Sequence, residues 1–166
     1  PAWITNTAGY KFHNYYGFGR VNTAVAVEAA ELYSAGSLGT FTTGFGWTTS
    51  GTLNIAIPDN SATGISNIIN VNDGLSIEAV QVQVNLHHTY TGELAIELTS
   101  PSGTKSMLLN PRNAFGSSDD LEYFILLSNA FYGESGRGNW TIKVVDTGSG
   151  DTGILDDWMI RIFGHY

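Results

Sequence analysis

The chain contains no cysteine, so neither a disulfide nor a thiolate metal site can hold it together. Basic residues are also scarce: seven Lys and Arg stand against fifteen Asp and Glu in 166 residues, a formal net charge of −8. That balance leaves no cationic stripe to neutralise phosphates, so nucleic acid is not an expected partner. No run approaches the ~20 consecutive apolar residues of a membrane-spanning helix, and no membrane partner is expected. All charged residues together make up only 13% of the chain, too few for the solvated faces of many surface helices.

The residues that are abundant point to strands and turns. Twenty glycines, with many Ser, Thr and Asn, suit short strands joined by tight connections. The length fits one compact module with a proper core. Residues 22–33 carry Val25, Ala26, Ala29, Ala30, Leu32 and Tyr33 at helical spacing, with Asn22 or Thr23 as cap and Gly36 as stop. Residues 36–51 are rich in Gly, Thr and Ser with Phe41, Phe45 and Trp47 interspersed. They read as a linker whose aromatics dock on the domain C-terminal to it.

From Leu53 onward eight strands are expected: 53–57, 65–71, 75–86, 94–99, 105–109, 121–127, 140–146 and 158–163. Eight strands without an intervening helix argue for an antiparallel sandwich, and the count fits a jelly roll. The fold class is therefore mostly β, an antiparallel jelly-roll β-sandwich of about eight strands preceded by one N-terminal helix. Trp140 and Trp158 open strands and are expected in the core.

The most informative stretch runs from His88 to Thr104. Leu94, Ile96 and Leu98 alternate with Ala95, Glu97 and Thr99, and Pro101-Ser102-Gly103 turns the chain into Lys105–Leu109. This hairpin resembles the H-x-Y-x-G-D-L-x-I-x-L-x-S-P-x-G-T signature of the P domain (homo B domain), which lies after the catalytic domain of kexin and furin-type convertases and of related bacterial subtilases. Trp140–Asp146, Gly153-Ile154-Leu155 and Trp158–Gly164 resemble the family's later elements, and Ile57-Pro58-Asp59-Asn60 is similar to the opening of bacterial members. Upstream, Tyr16-Gly17-Phe18-Gly19 and the helix after it resemble the last segment of a kexin-like subtilase domain. Glu93 stands where the pattern usually has Asp.

The resemblance implies three segments: 1–36 as the tail and last helix of a subtilase catalytic domain, 37–51 as linker, and 52–166 as the P domain. It implies a secreted, non-catalytic domain that stabilises, folds or regulates a subtilisin/kexin-like serine endopeptidase. Its partner would be the subtilisin-like catalytic domain of the same polypeptide, with protein substrate as a further partner. Trp3, Phe41, Trp47 and Arg112 are the residues expected at the interdomain contact; Arg112 could instead clamp a buried carboxylate.

The residues themselves hold no nucleophile segment of a Ser-His-Asp protease, so no enzyme activity is expected of this chain. Asp146-Thr147-Gly148 looks like an aspartic-protease loop, but that chemistry needs two facing carboxylates, available here only from a homodimer. A second alternative is a substrate- or carbohydrate-binding jelly roll with Tyr90, Tyr123, Phe131 and Tyr132 as its aromatic platform. Calcium is the one cofactor to weigh, since it takes six to eight oxygens from sandwich loops; Asp59 with Asp119 or Asp120 is the expected place.

Overall fold

The computed structural model describes residues 2–116 and 120–166. Eight strands overlap the eight expected ones. They are β4 (Ile55–Ile57), β5 (Ser61–Val71), β6 (Ser76–His88), β7 (Leu94–Thr99), β8 (Lys105–Leu109), β9 (Leu121–Ser128), β10 (Gly138–Asp146) and β11 (Gly153–His165). Of these, β5 and β11 begin four and five residues earlier than expected. One sheet has the order β5-β10-β7-β8. The facing sheet runs β3-β11-β6-β9, where β3 is Thr48–Thr49, with β4 also pairing β11. All named pairings are antiparallel.

Alternation decides which face is inside. Val80, Val82, Val84 and Leu86 of β6, Ile96 and Leu98 of β7, Ile142 and Val144 of β10, and Ile160 of β11 all turn into one core. Trp140 and Trp158 are closed from solvent there, as their strand-start positions suggest. Their indole N–H groups still find acceptors, Gly136 O at 2.9 Å and Asn67 Oδ1 at 2.8 Å, so their burial leaves no donor unpaired.

The N-terminal region adds a two-residue hairpin, β1 (Ile4–Thr5) with β2 (Lys11–Phe12), and helix α1 (Thr23–Leu32). Asn22 caps the helix, its side chain accepting from Val25 N–H at 3.3 Å. The hairpin is fastened to the sandwich. The buried Asn6 donates to Ala130 O at 3.0 Å and Tyr132 O at 2.8 Å, and Glu134 accepts from Thr7 N–H at 3.0 Å. Helix α1 is different, because not one of its residues is buried.

Residues of the expected linker also enter the sheet. Thr42 exchanges backbone hydrogen bonds with Gly164, and β3 pairs with Met159 and Ile160. At Gly164 a side chain would run into the Ser76 carbonyl, so the β11 bulge there requires glycine.

Candidate functional site

Two regions of the sandwich carry features that packing alone does not explain. The first is the outer face of the β9-β6-β11 sheet. Its outward positions are Ile125 and Leu127 on β9, Gln81 and Gln83 on β6, and Arg161 and Phe163 on β11, brought side by side by the registers Gln81↔Leu127 and Arg161↔Gln81. Phe41 stacks on Phe163 with ring centres 6.0 Å apart, and Trp47 lies against Arg161. A groove of about 380 Å³ continues this face, lined by Phe18, Phe41, Leu127, Tyr132 and Phe163. Ile125 and Leu127 remain 48% and 56% exposed. Aromatics, Gln and one stacked Arg, without Lys, are the composition of an interface centre.

The second region lies at the end of the sandwich where β6, β7, β10 and β11 meet their loops. His87 is ringed by acids: Nδ1 lies 2.6 Å from Asp156 Oδ2, and Nε2 lies 3.5 Å from Glu122 and 3.9 Å from Asp120. The hydrogen bond to Asp156 is the largest effect and raises the His87 pKa above its ordinary value; desolvation opposes it, and the charges of Asp156, Asp120 and Glu122 add to the rise. One residue on, His88 turns inward, as period-two alternation requires, and meets Glu93 and Asp146. Neither His88 nor Asp146 exposes any side-chain surface, and Nε2 and Oδ2 are 3.4 Å apart.

The expected site residues are dispersed. Asp59 accepts from Gly150 N–H through both oxygens, at 3.0 and 3.1 Å, and so holds a turn. Asp120 accepts from His88 N–H at 3.2 Å, while its other oxygen faces His87. Asp119 lies outside the described residues. Among the described residues, the only place where three His, Asp or Glu ligand atoms come within 4.8 Å of one another is His88–Glu93–Asp146, which contains neither Asp59 nor Asp120. Phe41 and Trp47 do sit on the outer sheet face. Trp3 is half exposed and packs at 5.2 Å from His13, beside the N-terminal hairpin. Arg112 has a φ of +60° and forms no ion pair among the described residues, so it clamps no buried carboxylate there.

The alternative chemistries fare as their geometry dictates. Asp146 is enclosed within one chain, so its carboxylate cannot meet a second copy across a dimer axis. The aromatic platform loses Phe131, which is buried edge-on against Trp140 at 5.0 Å. His87, His88 and His165 are each set against a carboxylate, and none is bonded to a hydroxyl that could act as nucleophile among the described residues.

Residues 77–162 match the family model described as the proprotein convertase P-domain. The chain belongs to the P-domain family. It is 33% identical to an extracellular serine protease of Aeromonas sobria over 98% of its own length and 32% of that protein's. It is 28% identical to the human proprotein convertase subtilisin/kexin type 5, over 98% of this chain and 9% of the convertase. A Streptomyces mobaraensis protein named transglutaminase-activating metalloprotease is 37% identical over 72% of this chain and 15% of its own length. The crystal structure of the Aeromonas sobria protease with its chaperone superposes with a TM-score of 0.88 at 30% identity, covering 99% of this chain and 33% of the protease. The chain thus spans about a third or less of these relatives.

Within the P domain the signature hairpin is framework. Leu94, Ile96 and Leu98 pack the core, and Pro101 and Gly138 touch so closely that a side chain at Gly138 would overlap the proline ring. Sequence reading missed Glu134, whose buried carboxylate gathers the hydroxyls of Ser100 (2.7 Å), Ser102 (2.6 Å) and Thr104. A Ser-Pro-Ser-Gly-Thr turn with three hydroxyls aimed at one point is the signal that an acid is needed there.

Proposed function

We propose that this chain is the non-catalytic P domain, with the tail of the catalytic domain attached, of a secreted subtilisin/kexin-like serine endopeptidase. It stabilises, folds or regulates that enzyme by docking on its catalytic domain. The observation that carries this reading is helix α1. Its sequence, Thr-Ala-Val-Ala-Val-Glu-Ala-Ala-Glu-Leu, is apolar on nearly every side, yet no residue of it is buried in this chain. A helix of that kind belongs inside a core, and the core has to come from the rest of the polypeptide. Each Val or Leu side chain moved from water into such a core contributes roughly 1.5–3 kcal/mol, which would couple the stability of the two domains.

The relatives support a non-catalytic role in a second way. Their names describe both serine proteases and a metalloprotease, two chemistries with different catalytic groups, so the segment they share with this chain is not what supplies either one. The outer face around Phe163 and Leu127, continuous with Phe18 just before α1, extends the docking surface. The Arg161 guanidinium lies within it as a site for a carboxylate of the catalytic domain.

The test is twofold. The purified chain should cleave no peptide or protein substrate; proteolysis abolished by a serine-protease inhibitor would overturn the reading. In the longer polypeptide, Ile125→Asp or Leu127→Asp, at the exposed outer positions of β9, should lower the melting temperature of the catalytic domain while leaving the melting of the P domain nearly unchanged. Equal melting of the wild-type and variant catalytic domains would also overturn it.

A further inference from the structure

Four buried polar atoms in the His88–Asp146 region have no hydrogen-bond partner among the described residues: His88 Nε2, Thr91 Oγ1, Glu93 Oε1 and Asp146 Oδ2. Asp146 is fully enclosed and Glu93, itself only partly buried, turns an oxygen closed from water toward it within 4.8 Å, so the pair needs compensation by a cation or a proton. The histidine decides between them. Its Nδ1 accepts a hydrogen bond from Tyr90 N–H at 3.1 Å, so a neutral ring carries its proton on Nε2, the atom that faces Asp146 Oδ2. A metal bound at Nε2 would require the opposite tautomer, with an Nδ1–H pointing at the Tyr90 N–H. The ring therefore offers no lone pair to a transition metal at the centre of the cluster, and its Nε2–H, aimed at Asp146, opposes a calcium ion held there by the two carboxylates.

We infer that Glu93 and Asp146 share one proton, and that this proton latches the turn after β10 onto the turn before β7. The two turns are joined at this point. Thr147 donates to Glu93 O through both N–H (3.2 Å) and Oγ1–H (2.7 Å), and Gly148 N–H donates to Asp146 Oδ1 at 3.0 Å. A side chain at Gly148 would displace the Glu93 carboxyl from this position, and one at Gly153 would overlap the His88 ring and the His87 carbonyl, so the closure depends on glycine at 153. Loss of the proton places two carboxylates in contact in a space without a counter-charge, and the turn moves outward.

The charged and titratable groups facing Glu93 are Asp146 on β10, Asp151 on the turn after it and His88 on β6. Burial, then the charges of Asp146 and Asp151, push the Glu93 carboxyl above its ordinary value, with His88 opposing. Such a group stabilises the fold through its protonated form. Its contribution is complete below the ordinary value of 4.5 and is lost as pH rises through the raised one.

The experiment compares the melting temperature of the chain with that of Glu93→Gln from below pH 4.5 to mildly alkaline pH, with and without Ca²⁺, Mn²⁺ or Zn²⁺. The expected result is a wild-type melting temperature that falls as pH rises. The variant, with a permanently neutral amide, should fall less and overtake it at the alkaline end. Parallel curves would overturn the inference, as would a divalent cation that raises the wild type but not the variant. If the variant does not fold, carbon NMR of the wild-type Glu93 carboxyl gives the same decision. Titration above the ordinary range supports the shared proton, and titration within or below it overturns it.

Discussion

The guanidinium of Arg161 lies 4.5 Å from the centre of the Trp47 ring, at the point where the segment before β4 crosses the outer face of β11. The cation also meets Phe163 at 4.9 Å, and Nη2 donates to Gln81 Oε1 at 2.6 Å. Among the described residues its buried Nε has no acceptor and no carboxylate pairs with it. The cation is thus held by two rings and an amide in a chain of net charge −8, and under the proposed docking its guanidinium would meet a carboxylate of the catalytic domain.

Removing the ring should be felt even in the isolated chain. Trp47→Ala is expected to lower the unfolding free energy by roughly 0.5–2 kcal/mol, the range of a cation–π contact from exposed to desolvated. Urea titration followed by circular dichroism measures it, and Trp47→Phe should recover part of the loss.

Glu134 gives the opposite pH signature to Glu93. Burial alone would raise its pKa, but the hydroxyls of Ser102, Thr104 and Ser100 and the N–H of Thr7 outweigh burial and hold the carboxyl below its ordinary value. Its contribution is therefore present above the ordinary value of 4.5 and is lost as pH falls through the lowered one. Glu134→Ala should cost about 1–3 kcal/mol, the penalty of leaving buried hydroxyl donors without their acceptor. It should also speed amide exchange at Thr7, because the N-terminal hairpin loses one of its fastenings.

His87 should titrate above an ordinary histidine, with Asp156 as the main reason. Proton NMR of its ring in the chain and in Asp156→Asn checks this, and the variant should move back toward the ordinary value of 6.5. The linked stability is fully present below 6.5 and is lost as pH rises through the raised value. Because the ring is half exposed, solvent screening keeps that contribution small.

Strands β7 and β8 begin and end where alternation and the Pro101-Ser102-Gly103 turn place them, because one face of each is buried and the period is clean. Helix α1 is equally legible from its cap and spacing. Strand β11 starts at Gly153, five residues before Trp158, because a bulge between Leu155 and Asp157 breaks the alternation and sets two adjacent acids in the strand. The β1–β2 hairpin and β3 are two residues long in each strand, too short for periodicity to register.

The candidate site was less visible. His88, Glu93 and Asp146 each belong to a recognisable motif, yet their meeting depends on the Asp146↔Leu94 register of β10 and β7, which local spacing does not encode. Family membership was legible for the opposite reason, since the hairpin and the two tryptophan strands that carry it are runs of consecutive residues.

If a catalytic domain docks on α1 and on the outer face of the β9-β6-β11 sheet, both surfaces must lose solvent when the rest of the polypeptide is attached. Amide hydrogen exchange reads this loss, measured on the chain alone and on the longer polypeptide that carries it. Strong added protection is expected at residues 23–32, with slower exchange along 123–127 and 159–163, in the longer polypeptide, and the core of β7 and β10 should be unchanged. Equal exchange of α1 and the outer face in the two samples would contradict the docking.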